Sequence, residues 1–377
     1  MRRAPVPTRP SFGQPAWTLA CGGTRLAVTV RGGHLAPVTF RVGSRKIEPL
    51  AIAPWWNEAI AAPPILQVLR GDFFCLPFGG NARPFRGRRL DVHGETANRP
   101  WEFVRAVHGR EAALLQLQLP TRTPRGLVEK IVEIRRGHSA VYQRHILSGM
   151  TGRINPGHHA MLQFRSPGLV STSPIRFGQV YPGNFESPAA SGYQSLKPGA
   201  EFDALDSVPA LDGTMADLSR YPAREGFEDL VMVSSMPADF AWTAVVFPSE
   251  RWLWIAFKDP ATLASTVLWH SNGGRHYAPW NGRHRGVLGL EEVTSHFHDG
   301  MVESVRANAL TQRGIPTSLP LSPKRPTAIN MVMAVAAIPT GFDHVATVER
   351  GKGEVIAISR SGRRARIPLD LDFLHER

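Results

Sequence analysis

Apolar and polar residues alternate along this chain with a period of two, and that period is the tightest constraint on its fold. Leu115, Leu117 and Leu119 alternate with Gln116 and Gln118, and Val128, Val132 and Ile134 oppose Glu129, Glu133 and Arg135. Successive side chains of a strand point to opposite faces, so these runs read as half-buried strands. Further strand-like runs are 25–30, 35–42, 101–107, 141–147, 231–234, 242–247, 252–257, 265–269 and 287–293, with 328–338, 355–359 and 366–369 in the last third. That is more than one sheet of ordinary size. The 35 glycines and 32 prolines are scattered, which favours many short elements and turns over long helices. The best helical signal is 301–310, where Val302, Val305 and Leu310 make a weak stripe, Asp299 is a candidate N-cap and Gly314 a stop. No βαβ rhythm and no repeat of 20–50 residues is visible, so parallel α/β folds, propellers and solenoids are not expected. The stretch 171–224, rich in Pro, Gly and Ser, reads as long loops on one β domain. The expected fold is all-β: two large, mostly antiparallel sheets packed face to face, with few short helices. The expected organisation is a flexible segment at 1–16, one domain over 17–372 and a short tail at 373–377.

Composition narrows the function classes. Charged residues are 20% and hydrophobic residues 42% of the chain, as in folded proteins. Cys21 and Cys75 are too few for a disulfide framework or a cysteine-rich zinc site. No apolar run reaches the ~18 residues of a membrane span. The basic start Met1-Arg2-Arg3 leads into no apolar segment, so no secretory signal is expected and the cytoplasm is the default location. The net charge of +13 comes from 38 Arg and 6 Lys. They are spread from Arg2 to Arg377, and the densest run, Arg83, Arg86, Arg88 and Arg89, is short. No nucleic-acid motif accompanies the charge, so no nucleic-acid partner is expected. Arginine also suits anionic substrates.

Four stretches could carry chemistry. They are Arg70-Gly71-Asp72-Phe73-Phe74-Cys75-Leu76-Pro77-Phe78-Gly79-Gly80-Asn81; His93-Gly94 before Asn98-Arg99-Pro100-Trp101; Asn155-Pro156-Gly157-His158-His159-Ala160-Met161; and Gly289-Leu290-Glu291-Glu292-Val293. The glycines near residue 79 lack the Lys-Ser/Thr ending of a phosphate loop, and no nucleophile elbow is present. Glu291 and Glu292 sit in an apolar strand and must face opposite ways, so at most one reaches a given cleft. A desolvated carboxylate there can serve as a base; the bland reading is a solvated outer-face residue. A strand-initial histidine, His158 or His159, can serve as an acid near neutrality, against the bland reading of a polar strand end. His296 and His298 share a strand face in a metal-like pattern, but no third ligand is near, and no metal or cofactor is expected. Trp269, Tyr277 and Trp280, in a loop with His270, His276 and His284, could stack on a sugar or simply pack the core.

Taken in order, with Gly32-Gly33-His34-Leu35 preceding them, these motifs resemble the aldose 1-epimerase, or galactose mutarotase-like, superfamily. The stretch from Arg70 to Trp101 is most similar to its hexose-6-phosphate epimerase branch. The resemblance spans about residues 20–345 in pattern and short motifs in letters. It implies a β-supersandwich, a cofactor-free site, a carbohydrate substrate, and a catalytic pair falling on Glu291 as base and His159 as acid. It implies that His93 positions substrate and that Arg70 and Arg99 hold the sugar or its phosphate; Trp280, from the aromatic loop, is the candidate stacking face. The chain departs from the family in lacking the Asn before and the Tyr-Phe after its histidine, so His158 versus His159 and Glu291 versus Glu292 stay open at this level. The alternatives are a non-catalytic carbohydrate-binding or regulatory protein on the same fold and a polysaccharide lyase-like enzyme. Nothing in the sequence speaks to the oligomeric state.

Overall fold

The alternating runs become two large antiparallel sheets in a computed structural model, which describes residues 8–377. One sheet has nine strands. Its centre is Ala241–Phe247, Trp252–Lys258, Thr327–Ala337, Ala140–Ser148 and Arg125–Arg135 in spatial order. The other has eight, centred on Glu228–Ser235, Ser265–Ser271 and Val287–Val293, with Gly157–His158 and Ala160–Gln163 both pairing the last of these. A five-stranded sheet over Arg9–Ile47 packs beside them.

Alternation sorts the side chains of the eight-stranded sheet into two environments. Val231, Val233, Leu268, Leu288 and Leu290 face the sandwich interior with Val245, Trp254 and Met333 of the nine-stranded sheet. Leu230, Met232, Val267 and Trp269 face the other way and join Trp55, Phe73, Phe78 and Trp280 in a separate apolar cluster. At about 25 cal/mol per Å² of buried apolar surface, both faces contribute to stability. The outer face of the nine-stranded sheet is covered by the C-terminal strands Val345–Arg350, Glu354–Ser359 and Arg364–Pro368.

The strands expected from periodicity are present within a few residues of their predicted ends, and five expectations are corrected. Residues 8–16 are not a loose segment: Arg9–Ser11 and the start of Gln14–Cys21 are paired strands. Residues 1–7 of the expected flexible segment lie outside the described residues. The expected tail at 373–377 packs down, because Phe373 and Leu374 are buried against the nine-stranded sheet. The single helix at 301–310 is two short ones, Met301–Val305 and Ala309–Gln312, the second capped by Asn308. Asp299 is not the cap; it accepts from the Tyr181 hydroxyl at 2.6 Å. The 171–224 stretch, read as loops, contributes Ile175–Val180 to the eight-stranded sheet. Among the described residues no helix is long and apolar enough to cross a membrane.

Candidate functional site

The catalytic candidates meet because of strand register. Gly157 pairs with Val293, and Ala160 with Leu290. That register sets His159 opposite Glu291, and cross-strand neighbours are within side-chain reach. Glu291 also pairs with Val267, and Gly289 with Trp269, so Glu291 shares the outer face with Trp269. His159 Nε2 lies 3.2 Å from Glu291 Oε1. Both line a cavity of about 320 Å³, together with His93, Trp269, Arg275, Tyr277, Trp280 and His298. Apolar residues complete the wall: Ile65, Leu66 and Leu69 from the helix Pro64–Val68 and its exit, Val92 and Phe185, and Leu230, the cross-strand neighbour of Trp269. Buried Asn98 ties two parts of this wall together. Its Oδ1 accepts from the Ile65 amide at 3.0 Å, and its Nδ2 donates to the Val92 carbonyl at 2.7 Å.

Two glycines allow the arrangement. A Cβ on Gly289 would lie 2.7 Å from Glu291 Oε1, so the carboxyl group folds over a position that must carry no side chain. Gly94 has φ 74° and approaches the Leu76 carbonyl so closely that a Cβ there would be 2.0 Å from it. This close approach fixes the turn that presents His93. The His93 ring accepts from the Gly79 amide at 3.2 Å and stands 4.8 Å from the His159 ring.

Burial governs the protonation of these groups. It pushes the Glu291 carboxyl well above the ordinary range, against a smaller opposing pull from Arg275. It holds His159 down at about 4, and His93 well below its ordinary value. His298 is lowered to about 4 by the same cause. Glu228, bonded to the edge of the Trp269 indole, does not line the cavity. Its carboxylate accepts from Trp269 Nε1 and from the Ser271 hydroxyl, each at 2.7 Å, and burial raises it to about 7.

The neighbouring His and Glu face the other way. His158 Nδ1 is 3.0 Å from Asp72 in the sandwich interior, within a buried network that includes Gln143 and Lys130. Glu292 is paired with Lys258 Nζ at 2.5 Å and accepts from Thr266. The geometry therefore brings His159, Glu291, His93 and Trp280 together at the cavity and leaves His158 and Glu292 out of it.

The two arginines expected to hold substrate are corrected. Arg70 is fully buried and spends its guanidinium on the carbonyls of Val68, Ser11 and Phe12 at 2.9–3.1 Å. Those carbonyls belong partly to the N-terminal strands, whose order the sequence did not reveal. Arg99 pairs with Glu95 at 2.5 Å and lines a separate groove with Arg88, Arg89 and Arg122. Arg275 and Glu186 were not singled out, and His298, read only as half of a metal-like pattern, lines the cavity. Arg275 lines the cavity with its Nε bonded to buried Glu186. His296, the expected partner of His298, instead contacts Asp299 at 2.7 Å. Among the described residues no group of three or more His, Cys, Asp or Glu is placed to hold a metal ion.

No protein-family model matches this chain, and no curated protein matches it. Solved structures do. Slr1438 from Synechocystis sp. PCC 6803 aligns over 89% of this chain and 99% of its own, at 15% identity and a TM-score of 0.54. The aldose epimerase homologue from C. elegans aligns over 86% and 100%, at 12% identity and 0.55. The galactose mutarotase related enzyme from Lactobacillus acidophilus aligns over 85% and 97%, at 12% identity and 0.54. At these identities the likeness is one of fold.

Proposed function

We propose that this chain, whose fold is that of the aldose 1-epimerase and galactose mutarotase-like proteins, interconverts the α and β anomers of an aldose. The observation that carries the reading is the 3.2 Å contact between His159 and Glu291 on the floor of a cavity with indole walls. Anomer exchange needs one group to take the C1 hydroxyl proton and another to protonate the ring oxygen. The ring then opens to an aldehyde, the C1–C2 bond rotates, and closure reverses both transfers. No net redox change or covalent intermediate with the protein is involved.

The pair meets this need with a single shared proton. Carboxyl plus neutral imidazole and carboxylate plus imidazolium hold the same number of protons, and such a pair titrates as a unit. Burial favours the first form at rest. Passing the proton from Glu291 to His159 gives the second, with Glu291 as base and His159 as acid. His93, its ring beside that of His159, is placed to orient the substrate. Trp269 and Trp280 give the cavity an aromatic wall that suits the C–H surface of a pyranose.

The test is polarimetric. Freshly dissolved α-D-glucose and α-D-galactose should reach their equilibrium rotation faster with the protein than without it. Spontaneous rates on every aldose tried, with ligand-induced shifts in the protein spectrum, would favour a sugar-binding protein that does no chemistry.

A further inference from the structure

Arg275 is the one arginine or lysine among the described residues that line the cavity. Its Nε donates to Glu186, and Tyr277 holds both oxygens of that carboxylate at 3.3 Å. Its guanidinium carbon sits 4.6 Å from the Trp280 ring centre, 5.3 Å from that of Trp269 and 5.2 Å from that of Phe185. Such cation–π contacts favour a charge in a desolvated place. Its two terminal nitrogens have no hydrogen-bond partner among the described residues. The Glu291 carboxyl lies near the Trp269 indole: a Cβ on Gly289 would be 2.7 Å from Glu291 Oε1 and 3.2 Å from Trp269 Cε3. A fixed positive charge and the reactive carboxyl therefore border one tryptophan.

We propose that Arg275 sets the acidity of the His159–Glu291 pair through its charge, as a positioning residue that does not touch the reacting atoms. The consequence for turnover rests on the epimerase reading; the effect on the Glu291 proton does not. The other ionisable groups around Glu291 offer no substitute. His159 faces it directly, and His93 and His298 line the same cavity. His284 stacks on Trp269, and Glu228 is bonded to that indole's nitrogen. Cys75, on the neighbouring edge strand, is buried and held as a thiol. The histidines are kept neutral by burial. The fixed charges are then Arg275, toward the cavity, Glu186, bonded to it, and Asp72, which pulls His159 in the opposite sense to Arg275. Glu228, raised to about 7, adds a partial negative charge that acts on Arg275.

The sign follows directly. Removing a positive charge makes every nearby group hold its proton more tightly. Arg275→Gln should move both limbs of the kcat–pH profile to higher pH, by about one unit or more. It should lower kcat with a smaller change in KM, while Arg275→Lys keeps the profile near its place. Glu186→Gln removes the negative charge behind the guanidinium and should move the profile the other way.

The direct experiment is isotope-edited infrared titration of the Glu291 carboxyl band in wild type, Arg275→Gln and Glu186→Gln, with Glu291→Gln identifying the band. A midpoint that rises in the first variant and falls in the second is expected. An unmoved midpoint in Arg275→Gln overturns the proposal, as does a raised KM with an unmoved profile, which would make Arg275 a substrate-binding group. If Arg275→Gln does not fold, the direction of the Glu186→Gln shift decides alone, and no shift or an upward one overturns the proposal. A wild type that exchanges no aldose would sink the epimerase reading and leave this titration to be judged by itself.

Discussion

His159 and Glu291 on one face of the eight-stranded sheet, and His158 and Glu292 on the other, are the same two residue types one position apart. On the sandwich side each has a partner of its own: His158 contacts Asp72, and Glu292 is paired with the charge of Lys258. On the cavity side the two face each other, with the charge of Arg275 pulling against burial at Glu291. Charge is neutralised by pairing in the interior and by moving a proton in the cavity. The first arrangement resists change, and the second can do chemistry.

The largest effect expected is on stability against pH. Burial depresses His93, His159, His284 and His298 around the cavity, and His145 and His270 in the interior. Their folded pKa values lie below the unfolded value of about 6.5, so the unfolded chain binds more protons as pH falls below it. Each then removes up to about 1.4 kcal/mol of stability per pH unit, until its folded pKa is reached. Glu228 and Glu291, both raised, act in the opposite direction but are fewer. The urea midpoint should therefore fall steeply from pH 6.5 toward 4. Histidine ring NMR sharpens the comparison: if His159 and His298 titrate near 6.5 while the interior histidines stay neutral, the cavity is not desolvated as described.

Next in size is the interior pair. Lys258→Met strands the Glu292 carboxylate and should cost about 3–5 kcal/mol, while the double change Lys258→Met with Glu292→Leu should recover most of it. Glu291→Gln should change stability far less, because burial already keeps that carboxyl protonated. Denaturant curves for the three variants would break the comparison if Glu291→Gln proved as damaging as Lys258→Met.

A smaller effect is expected at Gly289. A methyl group there presses on the Glu291 carboxyl and on Trp269. Gly289→Ala should cost about 1–3 kcal/mol, as overpacking does. The misplaced carboxyl should slow anomer exchange about 10-fold or more. Normal exchange in Gly289→Ala would show that the carboxyl need not sit where it does.

The strands were legible because period-two alternation is local, and Leu35–Val42 and Val287–Val293 were placed to the residue. Alternation also showed that only one of Glu291 and Glu292 could reach a cleft, but not which one. That choice depends on which face meets the other sheet, a non-local fact carried by the pairing of Ser265–Ser271 with Val287–Val293. The arginines were the least legible. A guanidinium can bind a substrate or a set of backbone carbonyls with the same five donors. Arg70 binds carbonyls from residues 11, 12 and 68. Arg275 looked like one basic residue among many in a loop, and its place depends on Glu186, 89 positions away.

The comparison stands or falls on which carboxylate moves protons. Proton NMR exchange between the α and β anomers of glucose and galactose should be measured with wild type, Glu291→Gln and Glu292→Gln, all held under folding conditions. Wild type should exceed the spontaneous rate and Glu291→Gln should lose about 10²–10⁴-fold of the enhancement, the usual worth of a general acid or base. Folded Glu292→Gln should retain most of it. Full activity in Glu291→Gln, or loss confined to Glu292→Gln, would contradict the assignment of the chemistry to the cavity face.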